Sequence, residues 1–131
     1  MRYILLMQGQ KSGVDEYVKW PKEAVESHFA GLRNMAKELS ESGEFIGTEG
    51  LGLPDQAKVV RAGKNGTPIT DGIFPEAKEF LLGYWIVDVD SAERAYEIAA
   101  LISGMPGPNG PLSMPIEVRQ IMTNKAEACR D

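Results

Sequence analysis

Cysteine is nearly missing from this chain: Cys129 is the single one among 131 residues. One cysteine cannot close an internal disulfide, so the fold must stand on its core, and a reducing compartment, the cytoplasm, is the expected home. Histidine is as rare, with His28 alone, which excludes a histidine-rich metal site. No apolar run approaches the ~20 residues of a membrane span, and the run at Tyr3–Met7 is shorter than a signal peptide requires. Positive charge is also short: 14 Lys and Arg against 19 Asp and Glu leave a net charge of −5. A binder of nucleic acid or of anionic membranes would need the opposite balance, so neither partner is expected. No cofactor-binding motif is present either. The glycines between 104 and 110 lack a strand-turn-helix setting and a Lys-Ser/Thr pair, so they do not form a phosphate loop.

What is there is ordinary globular composition, 43% hydrophobic and 25% charged, at a length that fits one domain. Residues 2–8 alternate, with apolar side chains on both faces, and predict a central strand. Polar residues 9–20 read as a loop ending at Trp20-Pro21. A long helix is expected over 21–42, with Pro21 in its first turn and Gly43 at its end. Its apolar stripe is Val25, Phe29, Leu32, Ala36 and Leu39. A strand follows at 44–50. The Asn65-Gly66 pair between 58–63 and 67–70 predicts a hairpin with a type I′ turn. Residues 71–82 read as a charged connector, and Tyr84–Val89 as the clearest strand. A capping box at Asp90-Ser91-Ala92-Glu93 opens a helix to Ser103 with Ala95, Ala99 and Ile102 inward. Residues 104–115, rich in glycine and proline, form a surface loop, and 116–122 a last strand. The expected domain is 1–122, with 123–131 a flexible tail.

The order β-α-β, hairpin, β-α-β predicts an α+β, ferredoxin-like βαββαβ fold with an inserted β-hairpin. Two helices cover one face of such a sheet. The other face, with large residues such as Trp85 or Tyr84, then needs a partner, so a homodimer is expected with a ligand cleft between sheet and partner.

Residues 70–79, Thr70-Asp71-Gly72-Ile73-Phe74-Pro75-Glu76-Ala77-Lys78-Glu79, resemble the signature of the DGPF proteins, a branch of the YCII-related superfamily. Asp71, Gly72, Phe74, Glu76, Lys78 and Glu79 match it, whereas Ile73, Pro75 and Ala77 stand at its proline, alanine and threonine. Glu49-Gly50-Leu51, Gly83-Tyr84 and Glu117-Val118-Arg119 resemble further family features, with Gln120 where a proline is usual. His28-Phe29-Ala30-Gly31-Leu32 is similar to the histidine-bearing first helix of the wider group. The resemblance implies a dimeric α+β barrel. It implies two kinds of function: a small-molecule enzyme using a His–Asp pair, one branch being associated with dehydrochlorination of an aromatic compound, or a non-catalytic module linked to sigma-factor-dependent transcription.

Two residues are the candidates for proton transfer. Asp71, before a glycine, is either a general base or acid at a cleft edge or the cap of an Asx-type turn. His28 beside the helix stripe is either its proton-transfer partner or a boundary histidine. Glu49, Arg61, Phe74, Lys78, Glu79 and Trp85 are the further ligand-binding candidates. All but Phe74 have a plain structural alternative: Arg61 and Arg119 pairing with carboxylates such as Glu49 or Glu117, Lys78 and Glu79 on a solvated charged face, Trp85 in the core or dimer interface.

Overall fold

Four antiparallel strands form the main sheet: β1 (Arg2–Gln10), β2 (Phe45–Gly50), β5 (Glu79–Asp88) and β8 (Ile116–Gln120), in the order β2-β5-β1-β8. The computed structural model describes residues 1–72 and 79–123. That strand order, with α2 (Lys22–Glu41) after β1 and α3 (Ala92–Ser103) after β5, is the ferredoxin-like arrangement. The expected hairpin, β3 (Lys58–Ala62) with β4 (Pro68–Gly72), is a separate two-stranded sheet. Asn65 (φ 59°) and Gly66 (φ 76°) give its turn the two positive φ values that a type I′ turn requires.

The pleat sorts the side chains. Tyr3, Leu5 and Met7 on β1 pair across with Val87, Trp85 and Gly83 on β5. This face packs on Met35 and Leu39 of α2 and on Ala95, Ile98, Ala99 and Ile102 of α3, which together form the core. Ile4, Leu6, Ile86 and Tyr84 pair on the opposite face. Of the two residues offered for the open face, Tyr84 lies there, while Trp85 belongs to the helix-covered face, its core alternative.

Several sequence expectations are corrected here. Residues 9–20 are not all loop, since α1 (Lys11–Tyr17) follows β1 directly. Both described ends of the stretch 71–82, read as a connector, are strand, since β4 runs through Gly72 and β5 begins at Glu79; residues 73–78 lie outside the described residues. A register shift after Met7 leaves Leu82 without a Cα partner, so a β-bulge breaks the alternation at the start of β5. On α2 the buried residues are His28, Met35 and Leu39, whereas Phe29, expected inside, is 42% exposed. The cap of α3 is Ser91, whose hydroxyl accepts from Arg94 N, one residue later than Asp90. Part of the 104–115 loop closes a small hairpin, β6 (Pro106–Gly107) with β7 (Gly110–Pro111). No helix among the described residues is long and apolar enough to cross a membrane.

One ion pair ties the sheet to α3. Arg94 donates to Glu44 from Nε and from the terminal NH2, each at 2.9 Å, and Ser42 Oγ adds a third hydrogen bond at 2.7 Å. These bonds, Arg94's first, hold the Glu44 carboxyl below its ordinary value against the desolvation that opposes them, and they push Arg94 further up. A carboxyl with a lowered folded value adds stability above its unfolded value near 4.5 and loses it as pH falls through the folded value. Glu44→Gln is therefore expected to be less stable than wild type by about 1 kcal/mol at neutral pH. The difference should close on acidification below pH 4, as read from urea unfolding at a series of pH values.

Candidate functional site

The chain builds a cavity of about 670 Å³ between the sheet and α2. Its floor comes from the C-terminal end of β1 and from β5, and its walls from α1, α2, β2 and residues 112–115. The volume is in the range of small-molecule sites. The expectation placed the cleft on the open face against a partner; this cavity lies on the helix-covered face within one chain.

Local sequence explains the space. The bulge at Leu82 delivers an extra side chain beside Gly9, and a Cβ at position 9 would collide with Leu82 Cδ1. Glycine there lets Leu82 lie across β1 as part of the lining. Gly31 on α2 serves the opposite wall. A Cβ at that position would come within 3.1 Å of Met105 Sδ, so the helix and the 104–115 segment approach closely.

That close approach positions His28. The imidazole is 6% exposed and lines the cavity. Nδ1 lies 3.2 Å from the Pro106 carbonyl oxygen. A carbonyl only accepts, so Nδ1 is the donor in this contact, which in the uncharged form of the ring leaves the lone pair on Nε2. No hydrogen bond from a described residue reaches Nε2. The ring sits in an edge-to-face series: Trp20 at 5.6 Å and 88° on one side, Phe29 at 5.7 Å and 74° on the other, with Tyr17 at 5.0 Å from Trp20. All four rings line the cavity.

Trp85 lines it too and is 1% exposed. Its Nε1 is the one buried side-chain nitrogen or oxygen without a hydrogen-bond partner among the described residues. Glu49 and Arg33, both exposed, complete the charged part of the lining, and neither has an ion-pair partner among the described residues.

The other sequence candidates lie elsewhere. Asp71 is in β4, opposite Val59, and accepts a hydrogen bond from Arg61 at 3.0 Å on the exposed hairpin. Neither residue is among the lining of the cavity, so the structure does not bring Asp71 to His28 there. Arg61 thus pairs with Asp71 rather than Glu49, while Arg119 does meet Glu117, at 3.8 Å. Glu79 opens β5 opposite Gln10; it is exposed and not itself part of the lining, although Gln10 is. Phe74 and Lys78 lie outside the described residues, as does Cys129. Sequence reasoning missed Tyr17, Trp20 and Arg33; the three-residue step from Val14 to Tyr17 was the available signal for α1. Among the described residues no group of three or more His, Cys, Asp or Glu side chains is placed to hold a metal ion.

The model of the YCII-related domain matches residues 1–105. An uncharacterized protein of Rhizobium meliloti (strain 1021) is 30% identical over 84 residues, 64% of this chain and 68% of the relative. The chain belongs to the YCII-related family.

Proposed function

We propose that this member of the YCII-related family binds a small, largely apolar organic molecule in the cavity beneath α2 and exchanges a proton with it through His28. The signature at residues 70–79 supports a place in the DGPF branch. The carrying observation is the state of His28: nearly buried, fixed in one tautomer by Pro106, and left with an unpartnered Nε2 in a cavity wall. A ring held this way is oriented for general base and then general acid work. Nε2 takes a proton from carbon and the electron pair moves into a new double bond; either a leaving group departs with its bonding pair, or an adjacent π bond breaks and its pair takes the proton back at another carbon. Asp71 has no part within one chain, because its carboxylate is bonded to Arg61 on the hairpin.

The test is a fragment screen by ¹⁵N-resolved NMR. The only two tryptophans, Trp20 and Trp85, both line the cavity, so both indole signals report its occupancy. Binders are expected to move these signals and the His28 ring nitrogens together, leaving the amides of β3 and β4 unmoved. Fragments that gather on the hairpin and spare the indoles would sink the proposal.

Two copies also pack face to face through the open side of the sheet. The strip of Ile4, Leu6, Tyr84 and Ile86 supports this, because the core helices lie on the other side. Light scattering at micromolar concentration should give twice the chain mass of 14.3 kDa. Ile86→Glu should return it to the single mass with the circular dichroism unchanged. A wild-type monomer would refute the dimer.

A further inference from the structure

We infer that the indole N–H of Trp85 is the recognition donor of this cavity, and that its ligand is a neutral, flat, largely apolar compound bearing a carbonyl oxygen. The inference rests on the cavity reading above and adds what the ligand must present.

A buried donor without a partner costs about 1–3 kcal/mol. Phenylalanine would fill most of the same core space without that cost, so the nitrogen is the part of Trp85 that packing leaves unexplained. Its own neighbours do not satisfy it. Thr48, directly across the strand, gives its hydroxyl proton to the Tyr84 carbonyl at 2.8 Å, and Leu5, on the other side, has no polar side-chain atom. Among the described residues nothing supplies the acceptor, and Trp85 is in the cavity wall, so a bound molecule is assigned that role. Nε1 itself exposes less than 1 Å², so the oxygen reaches it only as the side chains over it move aside.

The lining decides the rest. Met7, Leu32, Ala36 and Leu82 make its inner part largely apolar beside the polar Gln8, His28 and Thr48, while the charged Arg33 and Glu49 are exposed. A carboxylate at Trp85 would lose its water for one neutral N–H, which is a poor exchange. A carbonyl oxygen needs only that donor. The edge-to-face series of Tyr17, Trp20 and His28 favours a flat body beside it.

Three probes of one shape test this: 1-indanone, indane and indane-1-carboxylate, titrated into uniformly ¹⁵N-labelled protein, with Trp20→Phe used to assign the two indole signals. Indanone is expected to move the Trp85 indole proton downfield and to bind about tenfold more tightly than indane. The carboxylate should bind more weakly than indanone, and Trp85→Phe should erase the preference for indanone over indane. Should that variant not fold, the downfield shift in the wild-type protein decides. Equal binding of indanone and indane, with the Trp85 indole proton moved alike, overturns the donor role but leaves the cavity reading standing. Tightest binding by the carboxylate overturns the neutral ligand. If none of the three disturbs either indole, the cavity reading falls and the inference with it.

Discussion

Trp85→Ala will lower the unfolding free energy by about 3–5 kcal/mol, the range for truncating a fully buried large aromatic side chain. The residue is 1% exposed on β5, an inner strand of the sheet. It stands between Leu5 and Thr48 and meets Phe45 edge-on at 6.1 Å. The lost side chain would open the floor of a cavity that already measures about 670 Å³, so neighbouring groups have little reason to close over the gap. In a domain whose total stability is about 5–15 kcal/mol, the midpoint should fall by roughly 10–25 °C. Trp85→Phe should lose far less, about 1 kcal/mol, because the ring is largely kept and the orphaned donor is removed. Urea unfolding of the three proteins separates these effects. An alanine variant as stable as wild type would show that this wall is not core.

The fold was legible where local chemistry and tertiary need coincide. Asn65 and Gly66 take the conformations that few other residues accept, so the hairpin could be read from two letters. The β5 sequence from Tyr84 onward is similarly plain. Its first half was not, because the bulge at Leu82 cancels the alternation that identifies a strand, and a bulge is fixed by the partner's register. Helix α1 escaped notice for another reason. Seven residues containing Gly13, with no side-chain cap, carry too little local preference to announce a helix, which owes its place to packing.

The site was legible only in its parts. His28 drew attention as the single histidine, yet the stripe through Phe29 pointed the helix slightly wrongly. The true orientation depends on Pro106 and Met105, some 75 residues away, meeting His28 and Gly31. Asp71-Gly72 has the composition of a turn, but cross-strand pairing with Val59 and Lys58 makes it the end of a strand. Whether a buried indole nitrogen finds an acceptor is a question about every neighbour at once. No spacing in the sequence could reveal the unpartnered Nε1 of Trp85.

His28→Asn will separate the two proton-transfer candidates most sharply. The asparagine amide can stand where Nδ1 stood and still donate to Pro106, while the basic Nε2 is gone. Deuterium uptake at C2 of 1-indanone in D₂O provides the assay. Nε2 takes the C2 proton, the electron pair moves onto the carbonyl oxygen, and a solvent-exchanged deuteron returns to carbon. The protein-dependent rate is expected to fall about 10²–10⁴-fold in His28→Asn, the usual worth of a positioned acid–base group, with binding changed little. Asp71→Asn should leave the rate within a factor of two, because that carboxylate lies on an exposed hairpin with Arg61 and outside the lining. The reverse pattern, loss with Asp71→Asn and survival with His28→Asn, would move the chemistry out of the cavity and onto the hairpin.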